Sequence, residues 1–569
     1  VKRSTEPLHS PAPARRVVAV VFFAWCAWIH PALAQDTSAV ASAHPLATAA
    51  GKAILERGGN AFDAAITLAA ALAVVEPYSS GIGGGGFFLL HRESDRFQVM
   101  VDARETAPMG ATRSHYFDAE GRPIRNATTR GGTAAGIPGL PAALVHLAKN
   151  YGRLPLSVTL APAIRLAREG FPVDARFARI AQMREAFLKA GVNTDVFLDQ
   201  GRAPKTGYVL RQGALAGTLE RIALSGTAGF YEGAVARAMI ESVNRAGGAW
   251  TAADLASYRV IEREPVRFRY RGALITAASL PSAGGVALAQ SLAILENFPV
   301  QRIGMPATDH LVTEALRRAF HDRGRYLADP AFAQIPVARL VSREYARRRS
   351  ADIDPAHATR SDALDPVETA TARAESHNTT HFSVIDREGN RVAATVTINL
   401  LFGSGIIPDG TGVLLNNEMD DFTLRPDVPN AFRLRGGAAN RIEPGKRPLS
   451  SMTPTFVEDE KGVLVLGAPG GSRIISQVLL AILEYLRAPD VDLARLVAMP
   501  RYHHQYWPDR IEVEPEGFTP EWRAAMSAKG HTLETVNRRW GNMQAVFKAR
   551  RGGVTQAASD PRGDGVAWY

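Results

Sequence analysis

The sequence predicts a mixed α/β protein, on three observations: two strand pairs, long helical patterns around them, and glycine-rich turns where one pattern gives way to the other. The first pair is Phe87–His91 with Phe97–Ala103, joined by the polar turn Glu93-Ser94-Asp95. The second is His381–Ile385 with Arg391–Asn399, rich in Val, Ala and Thr and joined by Asp386-Arg387-Glu388-Gly389-Asn390. Helical patterns fill Pro45–Pro77, most of 135–350 and Ile474–Leu486, with a mixed patch near 263–280.

In chain order, residues 1–34 stand apart. Arg15-Arg16 precede the apolar run Val17–Ile29, and Ala32-Leu33-Ala34 precede Gln35, which is the pattern of a cleaved export signal. The run is short for a bilayer span. The arginine pair would suit export of a folded chain, but its flanks match weakly and the general secretory route is preferred, to a periplasmic or secreted location. The single cysteine, Cys26, lies in this segment, so the remaining chain has no disulfide, thiolate or cysteine–zinc chemistry available. Setting the segment aside lowers the formal net charge from +10 to +7. The basic residues are scattered without interleaved aromatics, which fits attraction for small anions rather than a nucleic-acid surface.

No period of 20–50 residues repeats, which excludes solenoids and propellers. Between Pro45 and Pro77 two helices are expected. The first ends at Gly58-Gly59, and the second is capped by Asn60 and stops before Pro77. The run Ser79–Gly86 then leads into the first strand pair. Residues 350–378 hold almost no large apolar side chain and are expected to be exposed and flexible. Strong β pattern begins directly afterwards, so a tether meets a core strand at Thr379.

Common hydrolase signatures are missing: there is no Gly-x-Ser-x-Gly, no His-Glu-x-x-His and no phosphate loop of the Gly-x-x-x-x-Gly-Lys-[Ser/Thr] type. His377 and His381 have the i, i+4 spacing of a zinc pair, but that spacing works on a helix and the pattern after His381 is a strand. No metal and no organic cofactor is expected. A threonine hydroxyl becomes a nucleophile when a base takes its proton, and a chain that starts at the threonine offers its own α-amine, with a pKa of about 7.7–8.0. That design requires cutting before the threonine, slack upstream and a rigid strand downstream. The junction at Thr379 meets those conditions, although a Thr-Thr pair in a strand is also ordinary β sequence.

Asn378-Thr379-Thr380-His381-Phe382-Ser383-Val384 resembles the processing site of γ-glutamyltranspeptidases. Four more stretches match that family in order: Val101–Pro108, Leu414–Phe422, Lys446–Pro454 and Gly467–Arg473. Shorter matches are Gly58–Ala61, Gly83–Phe87 and Ala558–Arg562. The resemblance implies the four-layer αββα sandwich of N-terminal-nucleophile hydrolases, one intertwined domain built by two fragments after self-cleavage. The large fragment would be 35–378 and the small one 379–569, a heterodimer of the chain's own pieces.

It also implies roles for individual residues. Thr379 would attack the Asn378 carbonyl to cut the chain, and afterwards the γ-carbonyl of glutathione or a related amide. The γ-glutamyl ester would pass to water, or to an amino acid or dipeptide. Thr397 would orient the nucleophile. Arg104, with Ser450 and Ser451, would hold the substrate α-carboxylate, while Asn399, Glu418 and Asp421 would accept its ammonium. Gly470 and Gly471, between the strand Val463–Leu466 and the helical run, would offer N–H groups to the oxyanion, in preference to a phosphate-binding role that lacks the usual lysine. Asp420 is read as a loop brace. One departure stands out: Phe432 occupies the lid position where many bacterial members carry a tyrosine, so a hydroxyl bond, expected toward Asn399, is lost and a looser gate follows. Two other readings stay open: a glutaryl or cephalosporin acylase, against which the carboxylates of Glu418 and Asp421 argue, and an exported amino-acid-binding relative that is never cleaved.

Overall fold

Alternation along the strands decides how the layers stack. In Gly85–Arg92, Phe88 and Leu90 join one apolar core, and Phe87 and Leu89 join another on the opposite face. Thr380–Ile385 divides the same way, with Phe382 and Val384 toward the first core and Ile385 toward the second. Strands buried on both faces need a layer above and a layer below.

The computed structural model describes residues 1, 3, 4, 37–300, 302–364, 379–550 and 555–569. Nearly all of the expected export signal, together with His377, Asn378 and the rest of 365–378, lies outside them. Residues from Asp36 onward form one unit, separate from Val1–Gln35. That unit is the four-layer αββα sandwich. The first sheet runs Val566–Trp568, Ala39–Ser42, Thr380–Ile385, Arg391–Thr397, Gly85–Arg92, Phe97–Ala103, Ile261–Arg263, every neighbour antiparallel. The second runs Thr555–Ser559, Gln544–Ala549, Gly462–Gly467, Thr455–Glu458, Ala273–Ala277, Val266–Tyr270, again antiparallel throughout. Helix Ala61–Val75 lies on the outer face of the first sheet, its fifteen residues all buried. Helices Gly284–Leu295 and Arg473–Arg487 cover the second.

The two early helices span Pro45–Glu56 and Ala61–Val75, with Asn60 and Asp63 forming a reciprocal capping box at the start of the second. The strand pairs sit at Gly85–Arg92 with Phe97–Ala103 and at Thr380–Ile385 with Arg391–Thr397. The last strand stops at Thr397 rather than Asn399 because Asn399 takes φ of 73°, a left-handed turn that asparagine tolerates. Glycine at position 84 is required by closeness: a Cβ there would lie 2.0 Å from the Thr397 carbonyl oxygen.

One expectation is corrected. Residues 350–364 are not a uniformly exposed tether, because polar side chains dock them where apolar ones are scarce. Asp354 O accepts from His310 Nε2 at 2.8 Å, Thr359 N donates to Glu314 at 3.1 Å, and fully buried Ser361 donates from its backbone to Asp509 at 2.7 Å. Beneath this segment His310 Nδ1 and His531 Nε2 are 2.8 Å apart, and Glu314 already pairs with Arg317 and Arg318.

Burial leaves several histidines neutral. It lowers His381 and His531 to about 3, and His503 and His504 to about 4. In the unfolded chain these groups protonate near the ordinary imidazole value, so between there and pH 4 the unfolded state binds more protons and stability rises with pH. We expect the unfolding free energy from urea titrations to fall as pH drops from neutral through this window, by up to about 1.4 kcal/mol per pH unit for each titrating histidine, and the urea midpoint to fall with it. A midpoint that does not change over that range would refute it.

Candidate active site

Thr379 immediately precedes the central strand Thr380–Ile385, which pairs with Ala39–Ser42 on one side and Arg391–Thr397 on the other. Next to it, Thr380 Oγ1 donates to buried Glu76 at 2.7 Å. His381 bridges Thr395 Oγ1 at 2.7 Å and Ser383 Oγ at 3.1 Å, so both ring nitrogens serve the sheet. Thr379 Oγ1 is 3.4 Å from Thr397 Oγ1, which also accepts the Asn399 N–H at 2.8 Å. The hydroxyl pair therefore sits where the antiparallel ladder ends and the left-handed turn begins.

One hollow of about 20 Å³, room for roughly one water, is lined by Thr379, Thr397, Arg104, Asn399, Glu418, Asp421, Ser450, Ser451, Phe432 and Gly471. Gly470 borders a second cavity that also reaches Thr379. The structure thus brings the expected catalytic and substrate-binding residues together around Thr379, while Asn378 lies outside the described residues.

Each side chain has a local reason for its place. Arg104 follows the strand Phe97–Ala103. Its carbonyl accepts from Tyr258 OH at 2.8 Å and from Arg447, which also holds Asp102 Oδ1 at 2.7 Å. Its guanidinium donates from Nε to Pro448 O at 3.1 Å and from its two other nitrogens to Glu418 and Asp421. Asn416 Oδ1 accepts the Glu418 N–H at 2.9 Å and its amide donates to Gly83 O at 2.8 Å, fixing the short 3-10 turn Glu418–Asp421. Asn399 Nδ2 donates to Asn417 O at 2.9 Å. Ser450 Oγ accepts Met452 N–H, and Ser451 Oγ accepts Arg323 Nη2, each at 3.1 Å. Among the described residues neither serine hydrogen has an acceptor, so both remain donors.

The turn Pro469–Ser472 follows the strand Gly462–Gly467 and starts the helix Arg473–Arg487. Gly470 has φ of 135° and Gly471 of 57°, backbone that L side chains rarely adopt. Among the described residues neither N–H donates within the protein. Gly467 packs on His381, where a Cβ would come within 2.3 Å of the ring.

The segment around Phe432, expected as a lid, is held largely by its backbone. Ala431 N donates to Asp420 Oδ2 at 2.9 Å and Phe432 N to Asn430 Oδ1 at 3.0 Å. Gln505 Nε2 donates to Phe432 O at 3.0 Å, while Gln505 Oε1 accepts from Ser472 Oγ at 2.6 Å. The phenyl ring is 6% exposed. Asp420 also accepts from Thr128 Oγ1 at 2.7 Å, a bracing contact.

Sequence reading missed Arg323, Arg447 and Gln505. Arg323 lies in the last turn of helix Met305–Tyr326, and nothing local distinguishes it from the other arginines of that helix. Burial lowers its guanidinium to about 10, with Arg104 adding to the effect against Asp421.

Electrostatics concentrate at Arg104. Burial alone would lower its guanidinium, and Glu418, Asp421 and Glu105 overcome that and raise it. The carboxyl of Glu418 is pushed well up by burial, with Glu105 and Asp421 adding repulsion against the pull of Arg104. Glu105 is likewise raised by burial, and among the described residues its oxygens have no hydrogen bond. Arg104→Met should therefore strand buried carboxylates and cost about 3–5 kcal/mol at neutral pH. Raised carboxyl values favour the neutral form, so this deficit should shrink as the pH is lowered. Urea unfolding of parent and variant across pH measures it, and a deficit that grows toward acid would contradict the argument.

A family model described as gamma-glutamyltranspeptidase matches residues 47–569. The glutathione hydrolase proenzyme of Escherichia coli (strain K12) is 39% identical over 538 residues, covering 94% of this chain and 91% of that protein. That of Pseudomonas aeruginosa is 40% identical over 539 residues, 93% of this chain and 94% of the relative. Among solved structures, cephalosporin acylase from Bacillus halodurans matches with a TM-score of 0.82 at 29% identity, over 99% of this chain and 98% of that one.

Proposed function

We propose that this chain, which belongs to the γ-glutamyltranspeptidase family, is a self-processing γ-glutamyl hydrolase and transferase whose nucleophile is Thr379. The observation that carries the reading is the convergence on Thr379 of a cationic clamp, two carboxylates and two glycine N–H groups in one buried place. In maturation, Thr379 Oγ attacks the Asn378 carbonyl, the acyl group shifts from nitrogen to oxygen, and water cleaves the ester. Fragments 35–378 and 379–569 result, and the new α-amine becomes the base for the next attack.

Glutathione or a similar γ-glutamyl amide then exchanges partners with the ion pairs of the clamp. Its α-carboxylate takes over Arg104 with the Ser450 and Ser451 hydroxyls, and its ammonium takes over Glu418, Asp421 and the Asn399 side-chain oxygen. The small hollow has to widen for this. A zwitterion is the ligand that replaces both halves of an internal salt bridge at once, so neither buried charge is left unpaired. Attack by Thr379, oriented by Thr397, puts the developing negative charge on the Gly470 and Gly471 N–H groups, and loss of one such donor costs about 10²–10³ in rate. The acyl group leaves on water, an amino acid or a dipeptide. The reading of residues 1–34 places this activity outside the cytoplasm, in the periplasm or the medium.

The likeness to a cephalosporin acylase supports a second reading, hydrolysis of glutaryl amides. A glutaryl group lacks the ammonium, and Glu418 and Asp421 would then face nothing positive but Arg104. Hydrolysis of γ-glutamyl-p-nitroanilide beside glutaryl-p-nitroanilide separates the two; preference for the glutaryl compound would reverse the assignment.

Expression of the full chain should yield two fragments beginning at Gln35 and Thr379 by N-terminal sequencing, and Thr379→Ala should stay uncut at that position. A folded, uncut parent chain would leave an amino-acid-binding protein as the better account. For the lid, Phe432→Tyr is expected to change the hydrolysis-to-transfer ratio and the donor KM. If both stay where they are, the ring's missing hydroxyl does not matter to gating.

A further inference from the structure

Two cavities meet at Thr379. One holds the clamp. The other, about 380 Å³, is also lined by Thr379 and Gly470, and its charged lining consists of six arginines with no carboxylate among them. Two arginines are spent on neighbours: Arg473 donates to Glu512 at 2.6 and 2.9 Å, and Arg562 bonds Glu514 at 2.6 Å and Asp560 at 3.0 Å. Arg539 reaches only the Ala498 carbonyl, at 3.5 Å. Arg176 has Glu76, Asp174 and Asp564 in its surroundings, but its buried Nε has no hydrogen bond among the described residues. Arg179 and Arg538 have neither an ion pair nor a hydrogen bond among the described residues.

The four arginines that make no salt bridge among the described residues come from both sides of Thr379 in the chain. Arg176 and Arg179 stand three apart on the helix Ala175–Met183, a spacing that puts them on one face. Arg538 and Arg539 follow the strand Leu533–Thr535. The Arg538 guanidinium is lowered by partial desolvation and by repulsion from Arg473, Arg176 and Arg179, although the residue as a whole is exposed. Arg176 has carboxylates nearby, but Arg179, Arg538 and Arg539 bring like charges to the exposed side of a cavity whose lining holds no carboxylate, a field that would draw an anionic ligand.

Where that ligand sits relative to the reaction follows from the geometry, and this step rests on the γ-glutamyl reading above. With the glutamyl end in the clamp and the carbonyl oxygen at the glycine N–H groups, the amine side of the scissile bond must leave through the remaining opening at Thr379. We propose that the arginine-lined cavity receives the amine side of the reaction, and that among acceptors it favours an amine bearing two carboxylates, such as an acidic dipeptide. Arg179 and Arg538 each present an unpaired fork suited to one carboxylate. A single carboxylate would leave one of them uncompensated. In transfer, the acceptor nitrogen bonds the ester carbon while the bond from that carbon to Thr379 Oγ breaks. The proton lost by nitrogen passes through the Thr379 α-amine to Oγ, and the acceptor carboxylates are unchanged.

The test uses the mature enzyme with γ-glutamyl-p-nitroanilide as donor and three acceptors: glycylglycine amide, glycylglycine and glycylglutamate, which carry no, one and two carboxylates. The expected kcat/KM for transfer rises along that series, by about tenfold or more at the last step, as one charge-assisted contact implies. Added salt should erode the gain. In Arg179→Gln/Arg538→Gln the ratio of glycylglutamate to glycylglycine, taken on one preparation so that any general loss cancels, should fall to near one. Equal transfer to all three acceptors by an enzyme that releases p-nitroaniline would overturn the inference and leave the donor reading intact. Failure of the cleaved chain to release p-nitroaniline would overturn the donor reading and the inference with it.

Discussion

The pairing of Thr380–Ile385 between Ala39–Ser42 and Arg391–Thr397 is the constraint on which the rest is built. Strands from before and after Thr379 are interleaved in this sheet, and the ladder pairings of the central strand begin at Thr380. The same pairing explains the density of polar contacts on the inner face. His381 and Ser383 point toward the second sheet and are satisfied there by Thr395, Gln544 and one another. A buried polar network of this kind holds its members in one arrangement only when each is satisfied. That rigidity is transmitted to the residue at the strand's start.

Charge organises the other half of the site. Arg104 is held from behind by Pro448, and its backbone by Tyr258 and Arg447, so its guanidinium cannot withdraw when Glu418 and Asp421 release it. The carboxylates are equally restrained, Glu418 through Asn416 and the loop through Asp420. Burying one cation among three acids is costly unless something recovers the desolvation. Internal pairing of Arg104 with Glu418 and Asp421 recovers part of that cost.

Much of this is legible in the sequence. The cap at Asn60, the two hairpins and the glycine turn before Arg473 are written in local residue patterns, and each lies within a few residues of its expected place. The clamp was legible only as family resemblance, since Arg104 and Glu418 are 314 residues apart and no local pattern joins them. Residues 350–364 misled because a segment without large apolar groups can still dock through polar side chains, here Asp354, Thr359 and Ser361 on a buried cluster. Arg323 and Gln505 were invisible for a related reason. Their contacts are made across the fold, and their own neighbourhoods carry no signal.

The lid shows how a substitution at one position can be absorbed elsewhere. Phe432 has no hydroxyl, yet its segment is fixed at Ala431 by Asp420 and at the Phe432 carbonyl by Gln505. Gln505 in turn takes the hydroxyl of Ser472, which directly follows the glycines placed at the oxyanion position. The segment of Phe432 and the turn Gly470–Ser472 thus share one amide side chain. Movement of the cover would disturb the Ser472 bond, and a shift of the turn would pull on the cover. The ring itself contributes apolar cover, and backbone bonds supply the register. A cover secured in this way leaves its side chain free to differ without loss of the fold, so the identity of residue 432 can affect access while the catalytic geometry stays set by the sheet.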